Sequence, residues 1–79
     1  MDKHEFEQFV TEHGKDILRF CRMNAGSTER GNELYQDTMV KLLEKQKKLD
    51  VAQNIKSHAM QTAILLWKAR KIRRRNRHF

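Results

Sequence analysis

Apolar residues recur along this chain at spacings of three and four, the pattern of helices that each bury one face. Phe6, Phe9, Val10, His13, Ile17, Phe20 and Cys21 form a stripe that predicts a helix over about residues 3–24. Gly14 falls inside it, at a cost of roughly 1 kcal/mol against alanine. Gly26 is a natural stop, because a left-handed closing residue is best made by glycine. Ser27 and Thr28 follow and can cap the next helix. A second stripe of Tyr35, Met39, Leu42 and Leu43, flanked by Leu34 and Thr38, predicts a helix over about residues 28–48. Its end, KQKKLD, places cations where the helix dipole favours them. The stretch LDVAQN forms a short connection, with Asp50 or Asn54 as the cap of a third helix. That helix is predicted over about residues 55–75, with Ile55, Ala59, Thr62, Ala63 and Leu66 inward. Ile64, Leu65 and Trp67 make it apolar on nearly all sides, so it is either central or part of a binding surface. Residues 76–79 are expected to fray.

No proline and no period-two alternation interrupts this pattern. The expectation is an all-α fold, a small three-helix bundle, with residues 1–79 as one domain. A chain of this size buries only about 60% of the surface exposed when unfolded, so completion on a partner is compatible with it. The single cysteine excludes an intrachain disulfide and fits a reducing compartment. The start, MDKHEFEQF, is charged and lacks the apolar segment of a signal peptide. The longest apolar run is too short to cross a membrane. A cytoplasmic location is therefore expected.

Charge divides the chain. Up to Asp50, ten acids face nine Lys and Arg and leave −1; beyond it, eight Lys and Arg meet no acid and leave +8. Such asymmetry implies that one end meets a polyanion. Nucleic acid is the first candidate, and an anionic membrane surface ranks below it because the bundle needs the apolar face of the third helix. In KARKIRRRNR, helical spacing brings Arg70, Arg73, Arg74 and Arg77 to one side, and Lys68, Lys71 and Arg75 broaden the stripe. Several phosphate contacts of this kind give strong, salt-dependent binding. Arginine supplies a planar fork suited to phosphates and base edges. Trp67, where the apolar and basic segments meet, reads either as a core aromatic or as a stacking surface for an unpaired base.

Catalytic chemistry finds little support. Cys21 lies on an apolar stripe, where free cysteine acts as a small hydrophobe. The histidines at 4, 13, 58 and 78 have no metal-ligand spacing. No phosphate-cradling glycine loop and no nucleophile elbow is present. No enzyme activity, metal or cofactor is expected.

The stretch NELYQDTMVKLLE holds one anomaly. On a helix, Val40 is ringed by Glu33, Gln36, Asp37 and Glu44, away from the apolar stripe. An apolar centre with a polar rim is the form of a small protein interface.

An acid-amide helix, a short connection and a helix that turns basic resemble region 2 of the sigma-70 superfamily, especially its extracytoplasmic-function type. FEQFVTEHGKDILRFCRMNAG is similar to region 2.1, and NELYQDTMVKLL to region 2.2, usually EDLVQEVFLKLW. IKSHAMQTAILLWKARKIRRR resembles regions 2.3 and 2.4 in its order of apolar and basic positions. His58 stands where the family usually has tryptophan, and Leu65 where it usually has asparagine. The resemblance implies docking on the β′ coiled coil of core RNA polymerase through Glu33, Leu34, Gln36, Asp37, Val40, Lys41 and Glu44. It implies contact with the promoter −10 region through Asp50, Gln53, Asn54, Lys56, His58, Gln61, Trp67, Lys68, Arg70, Lys71, Arg73 and Arg74. The connection LDVAQN falls where the family forms a pocket for an extruded base. Nothing in these residues resembles region 4, so the expected relatives are region-2-only coregulators that act with a separate region-4-bearing sigma subunit. Two other readings use the same residues: a sequence-tolerant nucleic-acid-binding bundle, and a protein adaptor with a basic helix.

Overall fold

The computed structural model describes residues 1–50 and 53–76, with side chains described as far as Arg70. Helix α1 spans Lys3–Ala25, α2 spans Thr28–Glu44 and α3 spans Ile55–Asn76; a 3-10 turn, Gln46–Lys48, follows α2. No strand occurs among the described residues. The fold is the all-α three-helix bundle that the hydrophobic periodicity predicts.

Local chemistry sets the ends. Asp2 opens α1 by accepting the Glu5 N–H at 2.8 Å, and Glu5 returns a carboxylate oxygen to the Asp2 N–H at 3.1 Å. This reciprocal cap satisfies two donors that the first turn leaves open. Gly26 closes α1 at φ 76°, its N–H donating to the Arg22 carbonyl. Ser27 then caps α2, with its hydroxyl accepting the Arg30 N–H at 3.2 Å. So short a turn makes α1 and α2 an antiparallel hairpin.

The hairpin closes tightly at one end. A Cβ built on Gly31 would lie 2.4 Å from the Arg22 Cα, so only glycine permits this approach. Beside it, Arg22 Nε donates to Asn32 Oδ1 at 3.1 Å. Midway along the hairpin Gly14 faces Tyr35, whose hydroxyl would sit 3.1 Å from an added Cβ.

The predicted second helix is too long. α2 ends at Glu44, and the Lys45 N–H is shared between the carbonyls of Lys41 and Leu42. The chain then tightens into the 3-10 turn and brings Leu49 into the core, only 9% exposed. Asn54, rather than Asp50, caps α3: its side-chain oxygen accepts the Ser57 N–H at 3.1 Å.

The core takes Phe9, Ile17, Cys21 and Ala25 from α1, and Leu34 and Leu42 from α2. Ile55, Ala59, Ala63 and Trp67 come from α3. Fully burying an aliphatic or aromatic side chain stabilises by about 1.5–3 kcal/mol, which sets the scale of each contribution. Thr38 is the one buried polar side chain among the described residues, and its hydroxyl donates back to the Leu34 carbonyl at 2.7 Å. Burial pushes the Cys21 thiol above its ordinary value, opposed by a smaller lowering from the Thr38 side chain. Leu43, expected inside, is exposed instead. The inward face of α2 runs through Gly31, Leu34, Thr38 and Leu42, and Leu43 lies outside it.

Candidate functional site

The outer face of α2 carries Glu33, Gln36, Asp37, Val40, Lys41 and Glu44, all exposed. At its centre Val40 and Leu43, one turn apart, are 51% and 54% exposed. The two apolar side chains lie side by side, Val40 among the acids and the amide and Leu43 at the edge away from Glu33, Asp37 and Glu44. Lys41 and Glu44 pair across the rim at 3.6 Å. Leu34 does not belong to this face. It is fully buried, so its part in any contact is to hold α2 from beneath.

The same face meets α3. Arg70 Nη1 lies 3.5 Å from Glu33 Oε2, and Arg70 Nη2 donates to Asp37 Oδ2. One guanidinium therefore bridges two carboxylates a single helical turn apart. Charge pattern alone puts Arg70 with the basic stripe and the acids with the apolar centre; the fold puts them together.

Lys56, at the start of α3, is also engaged. Its ammonium donates to Asp16 on α1 at 2.9 Å. This hydrogen bond and its charge hold the Asp16 carboxyl below the ordinary value of 3.8. Ahead of it, Gln53 and Asn54 are exposed and border a groove of about 430 Å³, whose far wall on α1 includes Glu5, Glu12 and His13. Asp50 is exposed where the chain leaves the 3-10 turn.

Along α3, His58, Gln61 and Lys68 are exposed. His58 and Gln61 line a second groove of about 280 Å³, between α2 and α3, with Lys41, Lys45, Leu65 and Leu66. Leu65, 66% exposed, is the apolar side of that groove. Trp67 turns inward and is only 9% exposed, so its ring serves the core. The α3 backbone continues through Lys71, Arg73 and Arg74 to Asn76, and those three side chains lie outside the described residues.

Among the described residues, no group of three or more His, Cys, Asp or Glu is placed to hold a metal ion. No helix of the described residues is long and apolar enough to cross a membrane.

An acid-rimmed apolar patch on α2 and a helix that runs on into arginines give one helical module two chemically distinct surfaces. A sequence model of sigma-70 region 2 matches residues 9–78, almost the whole chain. The chain belongs to the sigma-70 region 2 family. No curated protein and no solved structure matches it. Membership makes it a sigma-factor-like protein of transcription initiation, which works with core RNA polymerase and promoter DNA.

Proposed function

We propose that this chain docks on the β′ coiled coil of core RNA polymerase through the outer face of α2, and presents α3 to the promoter −10 region. The observation that carries this reading is the exposed Val40, ringed by Glu33, Gln36, Asp37 and Glu44 and extended on one side by the exposed Leu43. That stretch lies inside the segment resembling region 2.2. An apolar centre gives contact area, and its charged rim selects a cationic partner surface.

On α3, Lys68 and Arg70 lead into Lys71, Arg73 and Arg74 to follow phosphates. His58, Gln61 and Leu65 border the groove of about 280 Å³, the place assigned here to an unpaired base. No bond chemistry is involved: strand separation is stabilised by holding bases and neutralising backbone. In place of the family's usual tryptophan and asparagine, His58 and Leu65 give this groove one polar and one apolar contact of its own.

The kinship proposed is with the extracytoplasmic-function type, and within it with region-2 coregulators of split sigma factors. On this reading the −35 contact falls to a region-4 segment outside these residues, carried by a second sigma subunit. The test is co-elution of the chain with core polymerase. An Asp37→Arg variant should lose it, and unchanged co-elution of a folded Asp37→Arg chain sinks the assigned face.

A further inference from the structure

We propose that Arg70 is an exchangeable counter-ion that couples polymerase docking to DNA engagement. The inference rests on the docking reading above and adds a mechanism to it. Glu33 and Asp37 belong to the face assigned to polymerase, and Arg70 belongs to the helix assigned to DNA. In the free chain these groups satisfy one another. While its guanidinium lies on two carboxylates, Arg70 is held on α2 with part of its charge offset, and two of its five N–H donors are not available to a phosphate. While Arg70 covers them, Glu33 and Asp37 are partly neutralised toward a cationic partner.

The arrangement suits exchange rather than permanent clamping. The Glu33 and Asp37 side chains are 59% and 49% exposed, and Arg70 retains 27%. Ion pairs this open to water are weak and yield to a competing cation. A cation arriving from polymerase takes the two carboxylates and releases Arg70. The freed side chain is long, carries five N–H donors and starts one helical turn before positions 73 and 74, both arginines. It can then join the basic run on DNA. By linkage the effect is reciprocal: DNA that takes up Arg70 strengthens docking on polymerase.

The test compares the affinity of the labelled chain for core polymerase with and without fork-junction promoter DNA. Without DNA, Arg70→Gln should bind polymerase about two- to fivefold tighter than wild type, because the internal competitor is gone. With DNA, the wild type should tighten and Arg70→Gln should gain clearly less. Arg19→Gln, which removes an exposed cation elsewhere on α1, should match wild type without DNA. A folded Arg70→Gln chain that binds polymerase no tighter than wild type overturns the proposal. If Arg70→Gln fails to fold, Arg70→Met replaces it; it keeps the apolar stem but removes the charge, and affinity no tighter than wild type overturns the proposal equally. The Asp37→Arg variant separates the two ideas. If it loses polymerase while Arg70→Gln gains nothing, only the exchange is wrong; if it binds normally, the docking face is wrong.

Discussion

The guanidinium of Arg70 on α3 rests on the carboxylate of Asp37 on α2, thirty-three positions away in sequence. The contact joins the helix assigned to DNA and the helix assigned to polymerase. Its strength decides whether it can act as a switch. A double-mutant cycle with Arg70→Ala and Asp37→Ala, read by urea unfolding, should give a coupling of no more than about 1 kcal/mol. A coupling of several kcal/mol would describe a locked structural pair that polymerase does not displace.

Val40 and Leu34 lie on one helix, and their substitutions should separate function from folding. Val40→Arg should change stability by no more than about 0.5 kcal/mol, because the side chain is already in water. It should nevertheless abolish co-elution with core polymerase. Leu34→Ala removes a fully buried side chain and should destabilise by about 2–5 kcal/mol, visible as a lower melting temperature.

The α1–α2 hairpin makes an opposing prediction for two glycines. Gly31→Ala drives a methyl group into the Arg22 backbone and should cost about 1–3 kcal/mol or more. At Gly14 the nearest atom is the hydroxyl end of Tyr35, which can swing aside, and alanine gains helix propensity. Gly14→Ala should therefore be near neutral or mildly stabilising. Circular-dichroism melts of the two variants settle the order.

The Asp16–Lys56 pair predicts a response to acid. The folded Asp16 carboxyl titrates below 3.8, the value it regains on unfolding. Its contribution is therefore complete above that value and is lost as pH falls through it toward the lower folded value. Between about pH 5 and pH 2, wild type should lose stability more steeply than Asp16→Asn. Parallel pH profiles for the two chains would remove this pair from the account.

Much of the fold is legible in the sequence because its signals are local. The glycine stop at Gly26, the cap at Ser27 and the three apolar stripes each need only neighbouring residues. What the stripes do not reveal is the rotation of a helix within the bundle. Leu42 and Leu43 are equal candidates by periodicity, and close packing at Gly31 turns Leu42 inward and Leu43 out. The result is an outer face with two exposed apolar residues where the sequence pointed to Val40 alone. The acidic face was legible from the spacing of its carboxylates. Its partner was not, because Arg70 reaches it only through the crossing of two helices.

The central claim is that α2 faces polymerase and α3 faces promoter DNA. It is tested most directly by placing a photo-crosslinking amino acid at position 40 and irradiating the chain assembled with core polymerase and promoter DNA. The account predicts crosslinks from this position to the β′ subunit within its coiled coil. Crosslinks from position 40 to DNA, or to another subunit in place of β′, would contradict it.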